Sequence, residues 1–130
     1  MALKVNVEKR KEDIYVVKAN GHIDTDTYLQ FEEKIKPLLN TSIKALILDM
    51  TDVSYISSAG LTVIFNAKKV IEENKGNFIV TNLQPQIKKV FDIVRALPKE
   101  SVFVSMEEVD SYLDNIQQSE IEKIENPPEV

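Results

Sequence analysis

The chain of 130 residues contains no cysteine and only one histidine, His22. The missing cysteines exclude disulfides and thiol chemistry, which favours a reducing compartment. Long hydrophobic runs are also absent. None approaches the roughly 20 residues of a membrane-spanning helix, and the first residues lack the pattern of a signal peptide. We therefore expect a cytoplasmic protein that has no membrane contact and folds as one domain.

Residue patterns typical of enzymes and metal sites are missing as well. A serine hydrolase needs a base beside its nucleophile, and His22 is the only histidine that the chain offers. The sequence contains no Gly-x-Ser-x-Gly elbow and no glycine-rich phosphate loop. No carboxylate–histidine cluster has the spacing of metal ligands. We therefore predict no catalytic residue, no metal site, no cofactor and no enzymatic activity.

Positive charge is scarce at the end of the chain, and the net charge is −5. Residues 105–130 carry eight acids and one base, whereas residues 1–104 carry 13 acids and 15 bases. The body of the chain therefore lacks the basic stripe that direct nucleic-acid binding requires. We interpret the acidity as a solvated end rather than a surface for a basic partner. The predicted organisation is a domain of residues 1–116 and an acidic, mobile tail of residues 117–130.

A strand–helix–strand unit is predicted near the middle of the chain. Residues 45–48 form an uninterrupted apolar run, which is typical of a strand buried on both faces of a parallel sheet. Residues 51–56 carry turn-forming side chains and predict a connector. A second apolar run at residues 78–80 predicts another strand. Because a helical pattern lies between the two runs, the unit is a crossover whose strands are parallel.

The helix of this unit is predicted to begin at Ser57 or Ser58 and to stop at Gly76, a natural left-handed cap. Either serine is able to cap the helix, and the sequence does not assign the cap between them. Leu61 and Phe65 lie off the core face, where they pack on a neighbouring helix or form an apolar patch for a partner. Residues with small or apolar side chains define the core face: Gly60, Val63, Ile64, Ala67 and Ile71.

The flanking segments add a hairpin and further helices. An alternating strand at residues 3–7 and a β-branched strand at residues 14–19 predict an antiparallel hairpin, which Asn20 and Gly21 end. Helical patterns are present at residues 28–38, 85–94 and 106–116. A last strand is predicted at residues 102–104. The pattern predicts an α/β domain with a mixed, mostly parallel sheet of about five strands and with about four helices.

Residues 52–63 resemble the signature of STAS domains, specifically of bacterial anti-sigma-factor antagonists, and read DVSYISSAGLTV. The likeness extends over about residues 3–113 and includes Gly21-His22-Ile23-Asp24 and the segment of residues 85–91. Two positions depart from the family, which often has aspartate in place of Ser57 and glycine in place of Thr62. The resemblance implies a STAS-type fold.

The resemblance also implies a function as a phosphorylation-switched binding module. In the family, the serine two positions before the glycine of the signature is phosphorylated, and that position here is Ser58, with Ser57 as the nearest rival. The implied partners are an anti-sigma factor that is also a serine kinase, and a PP2C-type phosphatase. Sequestering the anti-sigma factor frees a sigma factor. The implied partner-binding residues are Asp24, Ser57, Ser58, Gly60 and Leu61.

The predicted topology gives these residues a location. A loop after a parallel strand that leads into a helix presents free N–H groups and a partial positive charge, which favour a phosphate on Ser58. We expect Ser58 and Asp24 to share one exposed rim, although Asp24 is equally suited to capping a helix. The alternative function is a STAS scaffold or small-ligand sensor in another bacterial signalling assembly. An enzyme with Ser58 as nucleophile is a third class, which the lone histidine disfavours.

Overall fold

The computed structural model describes residues 3–40, 42–96 and 106–125, which form an α/β domain. The predicted strand at residues 102–104 and the last residues of the predicted tail lie outside these ranges. No helix within them combines the length and the apolarity that crossing a bilayer requires. The elements in chain order are β1 (Lys4–Lys11), β2 (Ile14–Ile23), α1 (Tyr28–Leu39), β3 (Ala45–Ile56), α2 (Ser58–Glu73), β4 (Asn77–Thr81), α3 (Pro85–Ala96) and α4 (Met106–Glu125).

The four strands form one mixed sheet in the order β1-β2-β3-β4. β1 pairs antiparallel with β2, and the β2–β3 and β3–β4 pairs are parallel, which confirms the predicted hairpin and crossover. β1 lies at an edge of the sheet, and most of its side chains are charged or polar and exposed. Its register with β2 shifts between Lys9 and Lys11, which marks an irregularity near the end of the hairpin.

The connector predicted at residues 51–56 is wrong, because these residues extend β3 to Ile56. The end predicted for β2 at Asn20 and Gly21 is also wrong, since β2 continues to Ile23. The two extensions pair with each other up to Ile23 and Ile56, with two register shifts on the way. Gly21 has a φ of 125°, a backbone that glycine adopts without strain. Pairing with a neighbouring strand therefore overrides the turn-forming composition.

Part of β3 lies beyond the reach of β4, which pairs only with residues 45–49. Glutamine side chains bond to the backbone of the remaining stretch. The Gln84 amide donates to the Thr51 carbonyl at 2.9 Å. The Gln86 amide donates to the Ser54 carbonyl at 3.0 Å. These bonds supply partners that a longer β4 would otherwise provide to the strand backbone.

α4 is part of the core and is longer than predicted. The sequence predicts that the helical pattern fades at Gln117, whereas α4 continues to Glu125. Gln117 is itself buried, and Leu113 packs into the common core of the sheet and helices. An ion pair between Lys123 and Glu120 at 3.3 Å lies in the extra turns. The hydrogen bonds of the buried Gln117 to the Ile56 backbone hold this part of α4 against the domain, and the fading apolar pattern does not reveal them.

Gly76 ends the crossover helix for a different reason from the predicted one. The left-handed backbone belongs to Lys75, whose φ is 64°, and not to Gly76. Gly76 is buried, and a Cβ atom there would lie 2.6 Å from the carbonyl oxygen of Ile43. Its N–H also donates to the Ile71 carbonyl at 2.9 Å. The position therefore needs glycine because a side chain does not fit.

Substitution of Gly76 by alanine tests this explanation, with Lys75→Gly as the matched control. Gly76→Ala is expected to lower the free energy of unfolding by about 1–3 kcal/mol, because the backbone of Ile43 must shift. Lys75→Gly is expected to change it by less than about 1 kcal/mol, since glycine tolerates the left-handed backbone. Urea denaturation measures both values. Similar losses in the two variants would contradict the assignment.

Candidate functional site

The N-terminus of α2 assigns separate roles to the two serines of the signature. Ser57 is the N-cap, with an extended backbone and a hydroxyl oxygen that accepts from the Gly60 N–H at 3.3 Å. The Ser57 carbonyl accepts from the Leu61 N–H at 2.9 Å, which is the first bond of the helix ladder. Ser58 is the first residue of the helix. The structure therefore assigns the cap to Ser57, a choice between the two serines that the sequence leaves open.

The ends of β2 and β3 bring Asp24 and the serines to the same edge of the sheet. The Ser57 N–H donates to the carbonyl of Ile23, the residue before Asp24, at 2.8 Å. Gly60 permits this approach, because a Cβ atom there would lie 2.7 Å from the Ile23 side chain. The predicted neighbourhood of Asp24 and Ser58 is therefore present at these adjoining strand ends.

Asp24 does not cap α1. Its carboxylate accepts from the Asp26 N–H at 2.9 Å, which forms a turn before the helix. The N-cap position belongs to Thr27, whose hydroxyl donates to the His22 carbonyl at 2.7 Å. Asp24 is half-buried. Its part in binding a partner stays a prediction.

Ser58 does not lie on an exposed rim, and that expectation is wrong for this arrangement of the chain. The residue is only 7% exposed, and its neighbour Ser57 is 3% exposed. The reason is α4, which packs against α2 and α3 and reaches the join of β3 and α2. The Ser58 N–H donates to a carboxylate oxygen of Asp110 on α4 at 2.8 Å. A carboxylate of the chain itself therefore bonds the helix N-terminus where an anion is favoured.

Two further contacts hold α4 at this join. The Gln117 side chain donates to the Ile56 carbonyl at 2.9 Å and accepts from the Ile56 N–H at 3.0 Å. The Tyr55 hydroxyl donates to a carboxylate oxygen of Asp114. Sequence analysis missed Asp110, Asp114 and Gln117 as site residues. Their spacing of four and three residues places them on one helix face, which is the pattern that could have indicated them.

The environment of Tyr55 shows that the site is rich in negative charge. Burial raises the pKa of the Tyr55 hydroxyl, and the hydrogen bond to Asp114 raises it further. The charges of Asp114, Asp110 and Asp24 add to this pKa shift in the same direction. Carboxylates from the β2 end and from α4 therefore surround the start of α2.

The remaining predicted residues differ in burial, and Phe65 is 37% exposed. Gly60 and Leu61 are buried, so neither is on the surface in this arrangement, and their roles in partner binding stay predictions. Phe65 packs its ring against Phe91 of α3 with 6.0 Å between centroids, as expected for packing on a neighbouring helix. Within the described ranges, no group of three or more histidine, aspartate or glutamate residues is arranged to hold a metal ion.

The chain resembles known proteins over most of its length. Residues 5–121 match the family model of the STAS domain. An anti-sigma-B factor antagonist of Staphylococcus epidermidis is 27% identical over 92 residues, which are 70% of this chain and 85% of that protein. The anti-sigma-B factor antagonist of Staphylococcus aureus strain NCTC 8325 / PS 47 is 25% identical over 92 residues, with the same coverage of both chains.

Two solved structures confirm the predicted fold. The anti-sigma factor antagonist SpoIIAA in its unphosphorylated form matches with a TM-score of 0.64 and 20% identity, covering 71% of this chain and 81% of that chain. The Bacillus cell fate determinant SpoIIAA in the phosphorylated form matches with a TM-score of 0.61 and 21% identity. That match covers 70% of this chain and 83% of the other.

The contact between β3 and α4 predicts an alkaline loss of stability. Folding raises the pKa of the Tyr55 hydroxyl. The contribution of the protonated hydroxyl to the unfolding free energy is therefore complete below the unfolded pKa of about 10 and decreases above it. Between about pH 9 and about pH 11, the unfolding free energy of the wild type should therefore fall more steeply than that of Tyr55→Phe. Denaturant titrations at each pH measure the difference. Parallel pH profiles would show that the Tyr55 contact is not formed in solution.

Proposed function

Because this chain belongs to the STAS domain family, we propose that it acts as an anti-sigma factor antagonist switched by phosphorylation of Ser58. The unmodified protein binds an anti-sigma factor that is also a serine kinase, and a sigma factor is thereby released for transcription. Phosphorylation of Ser58 ends the binding, and a PP2C-type phosphatase restores it. The protein acts as a binding module, and the proposal assigns no catalytic residue to it.

The observation that carries the proposal is the position of Ser58. It is the first residue of α2 and directly follows the N-cap Ser57, at the end of the central strand β3. A phosphate attached there is close to backbone N–H groups and to the positive end of a 16-residue helix, so it needs no rearrangement of the sheet. The Ser57 hydroxyl already accepts a hydrogen bond as the helix cap, which favours Ser58 as the acceptor.

The curated relatives support the same function. Both Staphylococcus proteins are named as anti-sigma-B factor antagonists. This favours the antagonist function over the alternative of a scaffold or small-ligand sensor.

Charge explains how phosphorylation changes binding without refolding the domain. A phosphoserine adds about −1.5 to −2 charge units at neutral pH. The edge already carries the carboxylate of Asp24, which directly follows β2. A partner that accommodates the unmodified edge therefore meets concentrated negative charge. A loss of about 1.4 kcal/mol in binding free energy corresponds to a tenfold loss of affinity.

Three serine variants test the proposal against the anti-sigma factor kinase encoded in the same genome. Ser58→Ala is expected to bind without accepting phosphate, and Ser58→Asp to bind at least about tenfold more weakly. Ser57→Ala is the control: it should lose about 1 kcal/mol of stability through the missing cap and still be phosphorylated. Calorimetry measures binding, and intact mass after incubation with ATP measures modification. Equal binding by the wild type, Ser58→Ala and Ser58→Asp would end the hypothesis of a switch.

A further inference from the structure

The face of α4 that carries Asp110, Asp114 and Gln117 closes the Ser58 site from within the chain. We infer that this face, here named the α4 cover, is an autoinhibitory element that has to leave the start of α2 before Ser58 is phosphorylated or bound by a partner. The inference rests on the proposed function only for the role of Ser58 in phosphorylation and partner binding. The removable cover itself is inferred from the contacts of α4 with the end of β3 and the start of α2.

α4 restricts access to Ser58. A kinase must bring its catalytic residues and the γ-phosphate of ATP to the serine oxygen, and this requires open space around the residue. Ser58 is 7% exposed with α4 in place, and Gln117, which bonds to the Ile56 backbone, is 1% exposed. The closed arrangement is therefore not a kinase substrate, and movement of α4 is the direct route to an accessible serine.

The Asp110 carboxylate and a phosphate on Ser58 compete for the same N–H donor. The Ser58 N–H is bonded to the Asp110 carboxylate at 2.8 Å. A phosphate on Ser58 is attracted to the same helix end, where this N–H is a donor. Two anions cannot share this position without strong repulsion, and Asp114 adds a second negative charge nearby. Phosphorylation and docking of the cover therefore exclude each other.

The contacts of the cover are suited to reversible release. Among the residues that the structure describes, Gln117 bonds to backbone groups of Ile56 and, within α4, of Leu113. Water can replace these partners when α4 moves away, because they are ordinary amide donors and acceptors. Leu113, which is buried in the core, opposes release and keeps the closed form predominant. Stronger docking lowers the population of the open form, and phosphorylation slows in proportion to that population.

A single introduced thiol tests the cover, because the chain has no cysteine of its own. Three variants on α2 form a matched set for alkylation by a maleimide: Ser58→Cys under the cover, Thr62→Cys on the exposed face and Val63→Cys in the core. In the otherwise unchanged chain, Ser58→Cys is expected to react at least about tenfold more slowly than Thr62→Cys, since the cover restricts access to position 58. Equal rates would overturn the inference.

Adding Gln117→Ala removes the two bonds to Ile56 and should release the cover. The reaction of Ser58→Cys is then expected to accelerate at least about tenfold, while Thr62→Cys keeps its rate and Val63→Cys stays unreactive. A reactive Val63→Cys would report global unfolding, in which case Asp110→Ala replaces Gln117→Ala as the releasing change. Glu122→Ala, on the exposed side of α4, is the matched control and should leave all three rates unchanged. Protection of Ser58→Cys in both releasing backgrounds would overturn the inference.

Phosphorylation of the wild type and of Gln117→Ala separates the cover from the proposed function. Faster modification of Gln117→Ala by the kinase supports both. If the thiol becomes accessible but neither chain accepts phosphate at position 58, the cover stands and the proposed function fails. If both chains are phosphorylated at the same rate while the thiol stays protected, the function stands and the cover is refuted.

Discussion

The backbone of β3 beyond its pairing with β4 must find hydrogen-bond partners, and this requirement determines the position of the last two helices. An unpaired buried amide or carbonyl costs about 1–3 kcal/mol, and this cost applies to the buried end of the strand at Ile56. Three glutamine side chains from later in the sequence bond to the backbone of this part of β3: Gln84, Gln86 and Gln117. Because Gln117 is on α4, satisfying the strand backbone also places that helix over the start of α2.

This arrangement changes how the signature serine is understood. A helix N-terminus attracts anions, and here the first anion to occupy it belongs to the chain, through Asp110. Under the proposed function, this internal carboxylate and a phosphate added to Ser58 compete for one backbone donor. Burial raises the pKa of the Tyr55 hydroxyl nearby, and its hydrogen bond to Asp114 and the carboxylate charges raise that pKa further. Under the proposed function, regulation lies in which of these anions the helix holds.

Sequence reasoning succeeded where the determinants are local and periodic. The apolar run at residues 45–48, the small-residue face around Gly60 and the helical pattern at residues 85–94 predict the parallel crossover and the helix that follows it. It failed where a distant neighbour decides. Residues 51–56 are strand because β2 lies beside them, and Asp110 meets Ser58 across 52 positions of the chain. Such polar contacts produce no periodic pattern in the sequence. The spacing of Asp110 and Gln117 indicates only that the two residues share one helix face.

The edge strand β1 has a consequence for the behaviour of the protein at high concentration. Its side chains point largely into solvent, and Lys9 and Lys11 flank an irregularity that breaks the regular ladder. A second molecule that tried to add its own strand there would have to desolvate these ammonium groups and match a distorted backbone. Open-ended self-association by strand addition along this edge is thereby disfavoured.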